Sequence, residues 1–202
     1  MQVLRRVVNN TAISLVGQAI TWTATLLLTA AYGRFLGDVK FGELYLAITF
    51  VGVIGFPIEF SFNQQLVREV AQDPTRAPNW ATNTLLIKCA LWSVLYGVFL
   101  ALSWLLGYSG EERFLVAVCG GTLLLTSLGS TFGALHTAAQ RLVYPAVGAV
   151  IEKGLDALVI ILLLQRGAGV RAAALVLLGG ALAGAIWQAA WFARLMGLHY
   201  AI

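Results

Sequence analysis

The chain has 202 residues, of which 59% are hydrophobic and 11% charged, and its formal net charge is +4. With a mean hydropathy of +0.83, it has too few charges to cover a water-soluble globule of this size, so composition predicts an integral membrane protein. The basic residues are scattered rather than clustered on one stripe, which argues against a nucleic-acid-binding face. Cys89 and Cys119 lie inside apolar runs without CxxC or Cys/His spacing, so neither disulfides nor a metal site is predicted.

Six apolar segments are each long enough to cross a bilayer. A helix rises about 1.5 Å per residue, so about 20 apolar residues cross a hydrocarbon core of about 30 Å. The short charged loops between them make neighbouring spans antiparallel, and residues 1–202 are predicted to form one all-α, six-span membrane domain without a soluble domain. The predicted spans are residues 9–33, 42–65, 80–106, 113–137, 142–165 and 171–194.

The distribution of basic residues gives only a weak signal for the orientation of the bundle in the membrane. Basic residues are almost equally divided between the two sets of loops, but Arg5 and Arg6 precede the first span. Because the first helix usually dominates, we predict a cytoplasmic N-terminus, and six spans return the C-terminus to the same side. The uncharged run from Val7 to Gly33 exceeds the h-region of a signal peptide, roughly 7–15 residues, so we expect the first span to stay in the mature protein.

Polar side chains recur along the first span at helical spacing. At 100° per residue they share one arc of about 100°. One interpretation is a helix face that lines a hydrated cavity, and the other is a seam of hydrogen bonds between packed helices. Both stay open, and we treat the stripe as a candidate substrate or ion pathway. Its residues are Asn10, Ser14, Gln18, Thr21, Thr25 and Thr29.

The second and third spans each hold an ionisable residue. Glu59 in the second span is followed one turn later by Asn63. A carboxylate inside a membrane costs roughly 2.5–3.5 kcal/mol, so Glu59 should face protein or water, unless it lies at the membrane edge. Lys88 in the third span either snorkels to the interface or forms a cation–π pair with Trp92, one turn along. We expect all of these except Trp92 to belong to the pathway.

The fourth span carries a second polar stripe and a pair of glycines. Gly129 and Gly133 have GxxxG spacing, which favours helix packing. His136 could titrate near neutral pH, although a lone histidine in a bundle is more often a hydrogen-bonded structural residue. The polar stripe consists of Thr122, Thr126, Ser130, Thr137 and Gln140.

The fifth span has the densest intramembrane charge in the chain. Glu152 and Asp156 are four residues apart and share a helix face, and Lys153 can reach Asp156 at i+3. Three ionisable groups in one span are costly unless they serve a pathway or pair with one another, and both interpretations are open. Gly180 and Gly184 repeat the GxxxG spacing in the sixth span.

Three segments resemble a known transporter family. Leu36-Gly37 with Phe41–Tyr45 is similar to the LG…FG.Y turn after the first helix of polysaccharide and lipid-linked oligosaccharide flippases of the MOP exporter superfamily. Gln65–Ala71 resembles the family's exit from the second helix, and Ala139–Ala146 resembles its entry to the fifth. Together these segments imply one six-helix lobe of such a flippase.

The resemblance implies a function and a site. Two six-helix lobes would alternate access to a polar, often cationic cavity that carries the head of a polyprenyl-pyrophosphate-linked oligosaccharide across the cell membrane. Lys88 and Arg141 are then candidates for attracting pyrophosphate, and the acidic residues for a coupling cation or proton. We expect the first polar stripe, Glu59 and the pair Glu152/Asp156 to face one hydrated cleft.

The length of the chain departs from the resembled family, whose members usually have twelve to fourteen spans. Six spans predict an N-terminal half that needs a second six-helix lobe, supplied by another chain or a second copy. The alternative is a non-transporting membrane subunit or remnant that packs with such a lobe. Because HExxH, GxSxG, P-loop and GxGxxG motifs are missing from the sequence, no catalytic residue, cofactor or metal is predicted.

Overall fold

The computed structural model describes residues 2–59 and 62–199, with side chains for 10–59 and 62–194, and this part of the chain is helical apart from short turns. A 3₁₀ turn at Pro74–Arg76 connects the second and third helices. The predicted all-α fold is therefore confirmed. The helices are α1 (Gln2–Glu59), α2 (Phe62–Gln72), α3 (Ala77–Leu105), α4 (Gly110–Ala138), α5 (Val143–Gln165) and α6 (Val170–His199).

Among the described residues, four stretches are long enough, apolar enough and sufficiently free of charge to cross a membrane, rather than the predicted six. The first two predicted spans fall within one such stretch, interrupted only by residues 60 and 61, which lie outside the described residues. The fifth predicted span is an apolar helix of 23 residues, but it is not among the four because it holds three charged side chains. The four stretches are Asn10–Gln72, Pro74–Leu105, Gly110–Ala138 and Val170–Arg194.

Helix α1 folds back on itself at Gly37. This residue has φ 73° and ψ 171°, a conformation that is essentially restricted to glycine. Thr29 Oγ1 lies 3.1 Å from Tyr45 Oη, whereas residues 16 positions apart in a straight helix are separated by about 24 Å. Residues 2–36, here α1a, and residues 38–59, here α1b, therefore form an antiparallel hairpin at the predicted charged turn.

Charged side chains connect three turns at one end of the bundle. Lys40, just after the α1 reversal, pairs with Glu43 at 3.0 Å and with Glu111 at the start of α4. Arg171 at the start of α6 reaches Glu111 at 3.7 Å. These solvent-screened pairs add little stability, but they show that the α1, α3–α4 and α5–α6 turns meet at the same end of the bundle.

The remaining turns meet at the opposite end. Asn10 Nδ2 donates to the carbonyl of Gln140 in the α4–α5 turn at 3.0 Å. Between α2 and α3, Asp73 accepts a hydrogen bond from Thr75, which holds the pKa of the Asp73 carboxyl below its ordinary value. Val70 and Ala77 from this segment pack against Leu135 near the end of α4. The spans α1a, α1b with α2, α3, α4, α5 and α6 therefore run in alternating directions, as the short loops predict.

Glycines allow α6 to approach its neighbours closely. A Cβ atom at Gly129 of α4 would lie 3.2 Å from Ala185 Cα, and one at Gly148 of α5 would lie 3.1 Å from Trp187 Cδ1. The packing interpretation of Gly129 and Gly133 is confirmed, since a Cβ at Gly133 would come within 2.7 Å of Gln188 Oε1. Large apolar side chains cover the outside of the bundle, including Leu15, Trp22, Leu26, Val94, Leu158 and Ile186.

Candidate functional site

Two adjoining cavities lie where α1a, α2, α4, α5 and α6 approach one another. The larger has a volume of about 480 Å³ and the smaller about 290 Å³, and both are lined by Thr137 and Pro145. We call their combined surface the neutral cavity. The larger part is lined by Asn63, Gln64, Val67, Ser130, Gly133, Ala134, Thr137, Pro145 and Gln188. The smaller part is lined by Ser14, Gly17, Gln18, Thr21, Thr137, Leu142, Pro145, Ala146 and Ala149.

The polar stripe of the first predicted span is divided between two roles. Its middle residues, Ser14, Gln18 and Thr21, line the smaller part of the neutral cavity. Asn10 instead bonds to the α4–α5 turn, and Thr25 Oγ1 donates to the carbonyl of Thr21 at 2.9 Å. A cavity-lining segment therefore continues along one helix face into residues that hydrogen-bond to the α4–α5 turn or within α1a, and the role of the stripe as a pathway stays a prediction.

Lys88 forms a buried ion pair rather than snorkelling. Its side chain is 0% exposed, and Nζ lies 3.5 Å from Glu59 Oε1. Nζ also donates to Asn63 Oδ1 at 3.0 Å and to the carbonyl of Ser127 at 3.2 Å. Every described partner of the ammonium is an oxygen on a neighbouring helix, so α3 is tied to α1b, α2 and α4.

Both interpretations of Lys88 from the sequence are wrong for the same reason. Trp92, the expected cation–π partner, donates from Nε1 to the carbonyl of Gly120 at 2.8 Å and stacks on Tyr96 with ring centroids 4.5 Å apart. Its ring is therefore occupied, and Lys88 faces the interior of the bundle. Glu59 is paired with this ammonium and 37% of its side chain stays exposed, and its depth in the membrane stays a prediction.

The three charges of α5 form a second group, with the predicted pairing. Lys153 Nζ lies 2.9 Å from Glu152 Oε1 and 3.5 Å from Asp156 Oδ2. Asp156 is 1% exposed, and neither of its carboxylate oxygens has a hydrogen-bond partner among the described residues. The group borders a separate cavity of about 500 Å³, together with Thr122 and Thr126.

Glycines of α6 make room for these carboxylates. A Cβ atom at Gly180 would overlap Asp156 Oδ1, and one at Gly184 would lie 3.1 Å from Glu152 Oε2. The GxxxG spacing of α6 therefore matches the four-residue spacing of the two acids on α5. Both spacings are visible in the sequence, but their contact is not, because one sequence does not give the rotation of α5 relative to α6.

Arg141 lies apart from the other candidates. It is exposed and borders a cavity of about 270 Å³ at the end of the bundle where α2, α3, α4 and α6 meet. His136 borders the same cavity, is 1% exposed, and its Nε2 is 3.1 Å from the carbonyl of Gln188. The interpretation of His136 as a hydrogen-bonded structural residue is therefore confirmed.

The predicted site residues are distributed over several cavities along the bundle, and their opening into one hydrated cleft stays a prediction. Asn63 joins Ser14, Gln18 and Thr21 at the neutral cavity, and the partly exposed Glu59 accepts hydrogen bonds from Asn63 and Ser130. Sequence reasoning did not select Gln64 or Gln188, which complete the lining. Gln188 interrupts the apolar run of α6 between Arg171 and Arg194, which is the signal that could have identified it.

A family model described as polysaccharide biosynthesis protein matches residues 7–197. The chain belongs to this family of MOP-type flippases. The resemblance drawn from Leu36-Gly37, Gln65–Ala71 and Ala139–Ala146 is thereby confirmed. Members are generally transporters rather than enzymes, and together with the long apolar helices this makes the chain a multi-pass membrane protein of polysaccharide transport. No curated protein and no solved structure gives a significant match to the chain.

Proposed function

We propose that the chain crosses the cell membrane six times and forms one lobe of a flippase for polyprenyl-pyrophosphate-linked oligosaccharide, working by alternating access. The observation that carries the proposal is the neutral cavity. It opens at the surface of a bundle that is otherwise apolar outside, and its lining comes from both ends of the chain. In a lipid environment, a polar surface of this kind has to contact other polar groups, either water and substrate or a protein partner.

The alternating helices support six crossings with both termini inside. The turns near Gly37, Gly107 and Gly167 contain the described glycines with positive φ, and the ion pairs of Lys40 and Arg171 place these turns together. Arg5 and Arg6, which set the orientation, have side chains outside those described.

Reporter fusions test this topology. Fusions after Gly107 should report outside, because three crossings precede the reporter. Fusions after Asp73 and at the C-terminus should report inside, because an even number of crossings precedes each. The opposite pattern would invert the orientation, and equal reporting after Asp73 and Gly107 would remove one of the crossings.

A second six-helix lobe would close the neutral cavity. Both parts of the cavity are open to the surface of this chain, so one copy does not enclose a solute by itself. The second lobe is supplied by another chain or by a second copy. We place the pyrophosphate near the exposed Arg141, because Lys88 is 0% exposed and already paired with Glu59, and we place a coupling cation or proton at the α5 acids.

A membrane subunit without transport activity is the second candidate. The observation that favours it is that charged side chains pair within the chain: Lys88 forms an ion pair with Glu59, and Lys153 forms one with Glu152. Such pairs hold helices together without any ligand. In this case the neutral cavity would be covered by the second lobe and would not admit substrate.

Cysteine accessibility distinguishes the two candidates. In a background lacking Cys89 and Cys119, Gln18→Cys should react with a membrane-impermeant maleimide, and polyprenyl-pyrophosphate-linked oligosaccharide should protect it. Leu27→Cys and Leu162→Cys are matched controls, because both side chains are exposed on the apolar outside of the bundle. They should not react. Labelling of Gln18→Cys without protection, or no labelling at all, would favour the non-transporting subunit.

A further inference from the structure

We propose that the neutral cavity binds uncharged sugar units of the glycan and discriminates against acidic ones. The proposal rests on the transport of lipid-linked oligosaccharide and adds the part of the substrate that this surface contacts. The polar lining consists of amides and hydroxyls, and no described lining residue is ionisable. The volumes of about 480 and 290 Å³ are near the range of small-molecule sites, roughly 300–1,000 Å³.

The hydrogen-bonding capacity of the lining matches sugar hydroxyls. Thr21 Oγ1 donates to the carbonyl of Gln18 at 3.0 Å, and Thr137 Oγ1 donates to the carbonyl of Gly133 at 2.9 Å. Each hydroxyl oxygen can therefore still accept a hydrogen bond from a ligand. The amide groups of Gln18 and Gln64 can donate, whereas Gln188 Oε1 is buried and has no donor among the described residues. A sugar hydroxyl, which both donates and accepts, suits such a mixed surface.

An acidic sugar would find no counter-charge among the described lining residues. The nearest ammonium, Lys88, is 0% exposed and already faces Glu59, and the α5 charges and Arg141 border other cavities. Removing a carboxylate from water without a cation is far more costly than removing a hydroxyl that keeps its hydrogen bonds. The acceptor oxygen of Thr137 would add repulsion.

The test uses the native assembly, isolated through this chain and placed in lipid nanodiscs. The probes are two polyprenyl-pyrophosphate-linked oligosaccharides that differ only by a hexose or the corresponding hexuronic acid. We expect the neutral probe to bind about tenfold or more tightly than the acidic probe. Thr137→Val and Gln18→Leu should each weaken binding of the neutral probe by about three- to tenfold.

Thr23→Val is the matched control for Thr137→Val. Thr23 is exposed, donates to the carbonyl of Ala19 at 2.8 Å, and does not line either cavity, so its loss should leave binding unchanged. If Thr137→Val does not yield folded protein, Gln18→Leu carries the test, because Gln18 is already exposed.

The outcomes separate the two proposals. Equal binding of both probes, tighter binding of the acidic probe, or no effect of Thr137→Val and Gln18→Leu would overturn the glycan preference and leave the flippase function standing. If neither probe binds, the flippase function itself fails, and the glycan preference fails with it.

Discussion

Replacing Gly180 with leucine is expected to prevent α5 and α6 from packing. A Cβ atom at this position would already overlap Asp156 Oδ1, and the carbonyl of Glu152 lies 3.2 Å away. Asp156 is 1% exposed, so any shift of its carboxyl has to be accommodated inside the bundle. Inserting methylene groups into a packed site costs about 1–3 kcal/mol, and here the new side chain also presses an apolar surface on a carboxyl group. We expect loss of folded protein or a large fall in its thermal stability in detergent.

Gly179→Leu is the control for Gly180→Leu. The neighbouring glycine has nothing within 4 Å of a Cβ atom and is exposed, and leucine is a better helix former than glycine. This variant should be as stable as the wild type or more so, as measured by monodisperse elution after heating. Equal tolerance of leucine at both positions would show that α5 and α6 do not meet through Gly180.

The second large effect is expected at the buried ion pair, and it should be asymmetric. Glu59→Leu leaves the ammonium of Lys88, which is 0% exposed, with neutral partners only. Breaking a buried pair in this way costs about 3–5 kcal/mol. Lys88→Met should cost less, because Glu59 is 37% exposed and keeps its hydrogen bonds from Asn63 and Ser130 at 3.2 and 3.3 Å.

The double variant Glu59→Leu/Lys88→Met completes the cycle. Replacing a buried pair by apolar residues of similar size is often neutral or stabilising, so the double variant should recover most of the stability lost in Glu59→Leu. Chemical denaturation in detergent measures all three variants against the wild type. Additive losses in the double variant would mean that Lys88 and Glu59 do not interact.

Contacts and turns that depend on residues only a few positions apart could be predicted from the sequence. Lys153 reaches Asp156 because an α-helix places i and i+3 on adjacent positions, and this holds whatever surrounds the helix. The reversal near Gly37 follows from a charged turn between two apolar runs. Helix identity, loop positions and the family resemblance are of the same local kind.

Features that depend on the rotation of one helix against another could not be predicted. Glu59 and Lys88 are 29 positions apart and meet only because α1b and α3 both turn a polar position toward α4. Asp156 lies against Gly180 of α6, and the sequence of α5 alone does not show on which side it meets another helix. In a bilayer, helices associate through close packing and interhelical hydrogen bonds rather than through apolar surface as such, so hydrophobic patterning does not select the rotation.

Transfer of lipid between leaflets is the most direct measurement of the central claim. The native assembly is reconstituted in vesicles with polyprenyl-pyrophosphate-linked oligosaccharide, and the leaflet of the glycan is followed by its accessibility to an added impermeant glycosidase. We expect transfer well above that of protein-free vesicles, and no transfer from a verified single copy of this chain, whose cavity is open on one side. Transfer by the single copy would contradict the need for a second lobe, and no transfer by the native assembly would contradict the flippase function.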